Sequence, residues 1–487
     1  MPNAFAYLAL ILWPFVCLHL FRRLSPERAV IWSILGGYLV LPPVAEFDLP
    51  LVPDLDKFSI ANLSAFGFAV FYLKHRVPLL PKAILARLLM VTFVLGAIPT
   101  VLTNSDPVIF EVMEGSDPIV FKIYELPGLI WRDMFSVLSN QMIILLPFLL
   151  GRHYLASETG LRDLLFALLL GGVAYSIPAL IEIRLSPQLN TWIYGFFQHD
   201  FRQMMRNGGF RPIVFFPHAL WLAFFFMGTA VAAAALLRQE AREQRVKYLF
   251  CLLYLLAVLV LSKSLASQLY AILLVPLVLV ANTRVQVALA IVLALLAVTY
   301  PMLRNLGLIP LDAILAQAEA VSPDRAQSLG YRFRNEEQLL DRARDKWLFG
   351  WGGWGRNLVR HDETGQILSI PDGRWIISFG SYGWLGYLSE MGLLATALCL
   401  LGWRVLPGRA AVASALAGPV ALLLAITMVD MLLNDTLVPL TWLVAGAVLG
   451  HAEALRPKSK AERWRTGRKQ QPVMGSLDEK PEKRTIL

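Results

Sequence analysis

The chain has 487 residues, of which 57% are hydrophobic and only 16% are charged, and its mean hydropathy is +0.58. A soluble domain carries about 25% charged residues, so this composition excludes a water-soluble globular protein. The net charge of +9 matches the lysine and arginine excess of cytoplasmic loops, and we expect no nucleic-acid partner. The cysteines lie singly inside apolar stretches, which excludes a disulfide framework or a zinc site: they are Cys17, Cys251 and Cys399.

Apolar segments long enough to cross a bilayer recur from the N-terminus to about His451. A crossing needs about 20 residues, and open sheets cannot satisfy their backbone in lipid. We therefore predict an all-α polytopic membrane domain of about thirteen transmembrane helices over residues 1–455, with the connections 184–212 and 304–373 inserted. The 29 prolines and 33 glycines indicate broken helices. The predicted spans are 4–21, 27–45, 58–74, 83–102, 131–150, 161–183, 213–237, 247–262, 265–282, 285–303, 374–403, 410–432 and 436–451.

The connections between the predicted spans alternate in charge along the chain. Every second connection is basic, beginning with Arg22 and Arg23, whereas the connections at 46–57 and 106–125 are acidic. Because short loops rich in lysine and arginine stay in the cytoplasm, we predict that the N-terminus lies outside the cytoplasm and the C-terminal tail inside. The tail, 456–487, is basic and polar, and we predict that it is disordered.

Two of the predicted outward connections are unusual because they carry arginines. The first, 184–212, includes Arg206 and Arg211. The second, 304–373, holds nine Lys/Arg and ten Asp/Glu, so a cytoplasmic charge bias does not explain its arginines. A connection of this length in a compact protein is usually functional or disordered, and its tryptophans argue against disorder. We therefore expect a local requirement for these arginines.

The 304–373 connection contains a predicted amphipathic helix that begins at Pro323 and runs to about Lys346. Arg332 and Arg334 lie on it, either as anion-binding residues or as a solvated face paired with nearby carboxylates. The glycine-rich stretch 350–355 follows, without the strand, helix or Lys-Ser/Thr ending of a nucleotide loop. With no metal cluster or nucleophilic triad in the sequence either, we expect no cofactor, and any energy must come with the substrate.

Outward arginines beside membrane helices suit phosphate or pyrophosphate, which the guanidinium group binds through two parallel hydrogen bonds. Arg211 is the leading candidate because the stretch 208–212 places it at a tight entry into a span; the alternative is an interfacial snorkelling arginine. His218, one or two helical turns beyond, is either a ligand-binding residue or a packed core histidine. Lys263, in the polar break 262–264, is either an interfacial anchor or a third outward cation.

Taken in order, these motifs resemble the bacterial O-antigen ligase and polymerase superfamily of membrane glycosyltransferases. The resemblance covers roughly residues 200–400 and includes the long outward connection, whereas in the N-terminal half only the hydropathy agrees. The matching residues are Gly209–Pro212 with Phe216 and His218, Ser262–Ser264, Tyr331–Phe333 with Asn335, Glu336, Leu339 and Leu340, Gly350–Arg356, Asp372–Ile377 and Gly383–Gly392.

The resemblance implies transfer of glycan units from an undecaprenyl-pyrophosphate donor to an acceptor sugar or lipid-linked glycan, at the periplasmic face of the bacterial inner membrane. It implies a metal-independent, inverting glycosyltransferase without a cofactor, which works in contact with membrane lipid and other polysaccharide-assembly proteins. Arg211 and Arg332 match the family's two basic positions thought to hold the pyrophosphate. Asp372 stands where many lipopolysaccharide ligases carry a histidine, which favours an exopolysaccharide polymerase-like member.

Displacing a polyprenyl pyrophosphate requires fixed cations for the leaving group and a base for the acceptor hydroxyl. Asp372 is a candidate for that base, and the alternative is an ordinary turn aspartate. The tryptophans near the glycine-rich stretch either stack on sugar faces or anchor the loop at the interface. The residues expected to contact substrate are Arg206, His218, Lys263, Arg334, Trp351, Trp354, Arg356, Arg374 and Trp375.

A transporter or flippase for a lipid-linked sugar is the alternative function, because it would also need arginines for the pyrophosphate. Such a protein should show repeats and charges near the midplane of several spans, whereas the unusual charges here gather on one face. A purely structural partner of a biosynthetic complex is a third possibility, and it leaves the arginine-bearing connections unexplained.

Overall fold

The computed structural model describes residues 1–49, 53–114, 119–206, 208–406 and 413–455. Most of these residues are helical, in agreement with the prediction of an all-α membrane protein. The predicted disorder of the tail 456–487 falls outside the described residues.

Seventeen helices and two short strand pairs make up the described part of the chain. A π-helical turn, Phe68–Tyr72, continues the third helix, and a 3-10 turn, Phe201–Met204, precedes the third strand. The helices are α1 Ala4–Arg23, α2 Pro26–Val40, α3 Lys57–Gly67, α4 Ile84–Leu95, α5 Ala97–Leu102, α6 Trp131–Tyr154, α7 Glu158–Leu185, α8 Leu189–Tyr194, α9 Ala219–Gln239, α10 Arg242–Leu261, α11 Leu265–Val280, α12 Thr283–Asn305, α13 Leu311–Val321, α14 Pro323–Asp345, α15 Arg374–Val405, α16 Ala417–Asp430 and α17 Pro439–Ala454. The strands are β1 Val108–Glu114, β2 Ile119–Leu126, β3 Met205–Arg206 and β4 Gly209–Phe210.

The predicted count of thirteen membrane-spanning helices is not reproduced. In the described part of the chain, eight helices are long and apolar enough to cross a bilayer, namely α1, α4 with α5, α6, α7, α9, α10, α12 and α15. The other five predicted segments form helices of 11 to 16 residues, α2, α3, α11, α16 and α17. At about 1.5 Å per residue these are shorter than a hydrocarbon core of about 30 Å. The predicted segments were too long because apolar sequence also continues through irregular backbone packed inside the protein.

The connection 106–125, predicted only as an acidic loop, contains the antiparallel strands β1 and β2. They pair from Val108 with Leu126 to Glu114 with Ile119. Both strands are rich in β-branched and aromatic residues, which favour extended backbone and which a hydropathy count alone overlooks. The all-α prediction is corrected locally by this hairpin and by the two-residue pair β3 and β4.

Contacts between the connections fall into two groups. One group joins connections predicted to face outward, and the other joins connections predicted to face the cytoplasm. The predicted alternation of basic and acidic connections requires this separation. The assignment of each group to one side of the membrane stays a prediction. Examples are Asn3 with Tyr194, Thr100 with Phe349 and Lys57 with Phe215 in the first group, and Arg28 with Asp163, Arg152 with Glu453 and Arg162 with Glu240 in the second.

Helices α6 and α17 pack with their backbones in close contact. Gly446 and Gly450, four residues apart on α17, face the carbonyl oxygens of α6, and a Cβ atom on Gly446 would lie 2.1 Å from the Phe148 oxygen. On α6, a Cβ atom on Gly151 would lie 2.2 Å from the Leu443 oxygen. Small residues at this spacing allow the close helix approach that drives association in membranes. The contact fixes the position of α17 against α6.

The 304–373 connection folds into two helices and a docked loop. The predicted amphipathic helix is confirmed as α14, whose Phe333, Leu339 and Leu340 are buried. Helix α13, which was not predicted, precedes it and packs against it.

The glycine-rich loop docks on a break in α15. The break lies at Gly383, with φ +63° and ψ −163°. Residues 347–352 run along it and form backbone hydrogen bonds, such as that from the Trp384 N–H to the Trp347 oxygen at 2.8 Å. A Cβ atom on Gly350 would lie 2.4 Å from the α15 backbone, so the glycine permits the approach.

We expect Gly446→Leu to reduce the yield of folded protein and its unfolding temperature, because the side chain cannot fit against the Phe148 oxygen. Overpacking of this kind costs about 1–3 kcal/mol. Thermal unfolding of the detergent-solubilised protein measures the effect. The control is Gly67→Ala, where an added Cβ atom meets nothing within 4 Å and the unfolding temperature should be kept or slightly raised. An unchanged unfolding temperature for Gly446→Leu would contradict the close contact.

Candidate functional site

The segment 211–216, between β4 and α9, has no regular structure and carries Arg211. Its backbone groups are satisfied by buried side chains. The fully buried Glu182 carboxylate on α7 accepts hydrogen bonds from the N–H groups of Ile213 and Val214, both at 2.8 Å. Irregular backbone among membrane helices requires such internal partners. Glu182 therefore determines where the chain leaves β4 and enters α9.

Arg211 is buried, with only 3% of its surface exposed. Its backbone N–H donates to the Met204 oxygen at 2.8 Å, whereas its side-chain Nε and Nη2 atoms have no hydrogen-bond partner among the described residues. Burial, and then the charge of Arg206, lower the pKa of Arg211 to about 10, so it stays cationic at neutral pH. A buried cation without a counter-ion is costly, and an anionic ligand would satisfy it.

His218 caps the N-terminus of α9 beside these arginines. Its Nδ1 atom accepts a hydrogen bond from the Leu220 N–H at 2.9 Å, and its ring packs edge-to-face on His199 with centroids 4.4 Å apart. Burial, followed by the charges of His199, Arg211 and Arg332, lowers the pKa of His218 to about 3. The ring is therefore neutral at pH 7 with its proton on Nε2, which makes it a hydrogen-bond donor.

Arg332 reaches the same site from α14. Its Nη1 atom donates to the Leu433 oxygen at 2.9 Å and to the Asn434 Oδ1 atom at 3.2 Å. Its Nε atom forms an ion pair with the Asp372 Oδ2 atom at 3.4 Å. The structure thus brings together two residues that are 40 positions apart in the sequence and were both predicted as catalytic. We refer to Arg206, Arg211 and Arg332 as the arginine cluster, because Arg206 acts electrostatically on Arg211, and Arg211 and Arg332 act on His218.

Lys263 supports the turn that leads to the arginine cluster. It adopts a left-handed backbone conformation with φ +54°, and its Nζ atom donates to the Arg206 oxygen at 2.8 Å. A Cβ atom on Gly209 would lie 2.5 Å from Nζ, so the glycine leaves room for the lysine. Lys263 therefore adds positive charge near the cluster while it also holds β3 and β4.

The segment 430–436, from the end of α16 towards α17, also belongs to the site, although the sequence analysis did not predict it. The Asp430 carboxylate accepts hydrogen bonds from the Asn434 Nδ2 atom at 3.1 Å and from the Thr436 Oγ1 atom at 2.9 Å. Asn434 in turn accepts from Arg332. Ionisable residues between apolar runs are rare and usually functional, and that signal was present in the sequence.

Glu336 was also missed as a site residue, although it lies in one of the matched motifs. It is 2% exposed; its Oε1 atom accepts from the Trp375 Nε1 atom at 3.4 Å, and its Oε2 atom has no partner among the described residues. Burial raises the pKa of Glu336 to about 7, and the charges of Arg304 and Arg332 offset only part of the effect. A second carboxyl group therefore lies beside Arg332.

Three residues expected to contact substrate are part of the scaffold. Trp375 is fully buried and offers no face for a sugar. Arg356, 2% exposed, donates to main-chain oxygens on either side of the β1–β2 hairpin at 2.7 and 2.9 Å. The Trp351 ring contacts the cations of Arg342 and Lys346, which lie 4.1 and 4.8 Å from its centroid. The sequence shows the residue types but not these packing partners.

The remaining predicted substrate contacts differ in position. Arg334 is exposed on α14, two residues from Arg332 and therefore on another face of the helix. Arg374 forms a two-point ion pair with Glu390 at 2.9 and 2.5 Å. Trp354 is 55% exposed and lines a polar cavity. Of these three residues, Arg374 and Trp354 border a space that could hold a ligand.

An apolar groove lies between α7, α9, α16 and α17. Two of its residues connect it to the arginine cluster: Thr436 bonds to Asp430, and Trp221 lies one turn after His218. Its free volume of about 70 Å³ has room for a short stretch of a hydrocarbon chain whose polar end reaches the arginines. The residues that line it include Tyr38, Leu168, Phe224, Phe225, Leu423 and Val444.

We expect Glu336→Gln to change how stability depends on pH. The pKa of Glu336 is raised from about 4.5 to about 7 in the folded protein, so the folded state binds more protons than the unfolded state between these values. This contribution to stability is therefore present below about pH 4.5 and is lost as the pH rises to about 7. Across this range, the unfolding temperature should fall less steeply with rising pH for Glu336→Gln than for the wild type.

The control for this measurement is Glu319→Gln, an exposed glutamate on α13, which should keep the wild-type pH dependence. Identical slopes for Glu336→Gln and the wild type would contradict the buried environment of Glu336.

The site can bind a polyanion at three arginines and offers carboxyl groups beside one of them. Among the described residues, no group of three or more His, Cys, Asp or Glu side chains is placed to hold a metal ion. Comparison with known protein-family models and with curated proteins gives no match to this chain.

Proposed function

We propose that the protein transfers glycan units from an undecaprenyl-pyrophosphate donor to an acceptor sugar at the periplasmic face of a bacterial inner membrane, as a metal-independent inverting glycosyltransferase for surface polysaccharide assembly. In this proposal the protein has thirteen membrane segments, five of them shortened or broken, and the connections 184–212 and 304–373 face the periplasm. The resemblance of residues 200–400 to O-antigen ligases and polymerases led to this hypothesis.

The buried Arg211 guanidinium carries the proposal. Two of its nitrogen atoms have no partner among the described residues, and the neighbouring charge that shifts its pKa is another cation, Arg206. Such an arrangement is unfavourable for an empty protein and favourable for one that receives a pyrophosphate. Arg332 and the neutral His218 ring add donors to the same anion, and Arg332 joins the site to Asp372.

The apolar groove supports a lipid-linked donor over a soluble one. It lies between membrane helices and ends near Thr436 and Trp221, close to the arginine cluster. A polyprenyl chain whose carbons next to the pyrophosphate enter the groove would place that pyrophosphate at the arginines and the first sugar beyond them, with the rest of the chain in the lipid. Each arginine then stabilises charge that grows on the leaving pyrophosphate as the glycosidic bond breaks, and fixed cations in a low-dielectric site are well suited to that role.

The acceptor hydroxyl attacks the anomeric carbon and must lose a proton. Asp372, with its side chain 32% exposed, contacts Arg332 and is reachable by an acceptor. We assign it as the proton acceptor, which is worth about 10²–10⁴-fold in rate. Glu336 is nearly fully buried against Trp375, so an acceptor does not reach it and we assign it no part in proton transfer.

We expect Arg211→Lys and Arg332→Lys to lose about ten- to hundredfold in transfer rate, because lysine keeps the charge but loses the guanidinium geometry. The assay uses purified protein in nanodiscs, a fluorescent undecaprenyl-pyrophosphate oligosaccharide and EDTA, with products resolved by chain length. The matched control is Arg344→Lys, an exposed arginine further along α14 that pairs with Asp341. Full activity in both variants would remove the arginine cluster from the mechanism.

We expect Asp372→Asn to slow transfer by about 10²-fold or more while donor binding is kept, because the base is lost and the arginines remain. Glu336→Gln, the second carboxyl at the site, should stay within a few-fold of wild type. Donor binding is measured separately by fluorescence anisotropy. This comparison also tests the alternative function, since a flippase needs the arginines but no base. Equal activity of Asp372→Asn and wild type would rule out Asp372 as the base. If Glu336→Gln were the slower of the two variants, Glu336 would be assigned as the base instead.

A further inference from the structure

A second cavity, of about 420 Å³, lies between Glu46, Asp54 and Asp56, helices α3 and α6, Trp354 and the start of α17. We call it the polar cavity. Its volume falls within the range of about 300–1,000 Å³ that is typical of small-molecule sites. Val438 borders both the polar cavity and the apolar groove, and the same segment contacts Arg332 through Asn434. The polar cavity is therefore adjacent to the proposed donor site but distinct from it.

Two residues that line the polar cavity each carry a buried polar atom without a partner among the described residues. These atoms are the Oδ1 atom of Asn62, which is 2% exposed, and the Nε1 atom of Trp442, which is 1% exposed. The Asn62 amide nitrogen is already bonded to the Ile143 oxygen at 3.2 Å. One acceptor and one donor are thus left unsatisfied, and native proteins rarely leave such groups without a partner. A ligand rich in hydroxyl groups would pair with both.

The charge of the polar cavity is opposite to that of the arginine cluster. Glu46, Asp54 and Asp56 line it, against a single cation, Arg374, whose charge is balanced by Glu390. Burial and the nearby aspartates raise the pKa of Glu46, as expected where carboxylates repel one another. Carboxylates accept hydrogen bonds from sugar hydroxyl and amino groups, and they repel phosphate and carboxylate ligands.

Trp354 supplies an aromatic surface at the edge of the polar cavity. Its indole is 55% exposed, unlike the buried Trp375 and the enclosed Trp351. Its backbone has φ +56°, a conformation that non-glycine residues adopt at a cost and that is often found at ligand sites. The apolar face of a sugar ring can pack on such an indole, as other flat apolar surfaces do.

The carboxylates of the polar cavity are not arranged as a metal site. Among the described residues, no group of three or more possible ligands is close enough to hold one ion. Separated acceptors, an unpaired amide oxygen, an unpaired indole N–H and an exposed ring are the groups that recognise a polyhydroxylated molecule.

We propose that the polar cavity binds the acceptor glycan, and that this glycan is neutral or carries amino groups rather than carboxylates or phosphates. Only the identification of this glycan as the acceptor rests on the proposed function. Saccharide binding and the charge preference are argued from the cavity alone. The donor's anionic group and the acceptor would then occupy adjoining sites of opposite charge, which prevents either from entering the place of the other.

Saccharide binding is tested by saturation-transfer NMR on the full-length protein in nanodiscs. The probes are a neutral cellulose tetrasaccharide, a glucosamine tetrasaccharide and a galacturonate tetrasaccharide. We expect signals from the first two and none from the third. Trp354→Ala should weaken binding by up to about tenfold, with the exposed Trp192→Ala as its control. The double substitution Glu46→Gln with Asp54→Asn should admit the galacturonate probe, whereas Asp48→Asn, which changes the same loop outside the lining, should not.

Equal or better binding of the galacturonate probe by wild-type protein, or binding that none of the cavity variants alters, would overturn the inference. So would absence of saccharide binding in protein that still binds undecaprenyl pyrophosphate. Binding of the lipid is measured in parallel, with Arg211→Lys as the variant that should lose it. Saccharide binding without lipid binding would leave the polar cavity as a glycan site and would count against the proposed function only.

Discussion

The Glu182 carboxylate, buried on α7, is the constraint on which the site depends. It accepts the backbone N–H groups of Ile213 and Val214 and so keeps an unwound segment among apolar helices. That segment carries Arg211 into a buried position without a counter-ion in the described part of the chain. The uncompensated charge destabilises the fold, and the packing of the helices offsets that effect. The same charge makes the site favourable for an anion.

The segment between α16 and α17 organises the space around this cation. Asp430 holds its conformation, Asn434 contacts Arg332, and Val438 separates the apolar groove from the polar cavity. The close packing of α17 on α6 through Gly446 keeps the segment in register with its neighbours. Three environments, hydrocarbon, cationic and anionic, therefore adjoin one another within a few residues of chain.

This division of charge gives a coherent physical account of glycan transfer from a lipid carrier. The leaving pyrophosphate would be stabilised by fixed cations, while the acceptor would be selected by hydrogen-bond acceptors of the opposite charge. Asp372 lies at the arginine cluster, where the acceptor hydroxyl would meet the anomeric carbon. The chemistry would need positioning and electrostatic stabilisation from the protein alone, with the free energy supplied by cleavage of the donor's glycosyl–pyrophosphate bond.

The sequence by itself determined the membrane class, the helical segments and the amphipathic α14, because composition and the 3.6-residue period are local properties of the chain. It also singled out Arg211, since an outward cation at a membrane boundary stands out in an apolar chain, whereas the catalytic roles of Arg332 and Asp372 were expected from the resemblance. It did not reveal how long each helix is, because apolar residues cover irregular backbone as readily as helices.

Only the tertiary structure decided which candidates face a ligand. Trp354 and Trp375 are the same residue type in the same region, yet one is exposed at a cavity and the other is fully buried. The contact of Arg332 with Asn434 joins residues 102 positions apart, and the partners of Glu182 lie 31 and 32 positions away. Burial and pairing at such separations are set by the packing of whole helices, and no local pattern in the sequence encodes them.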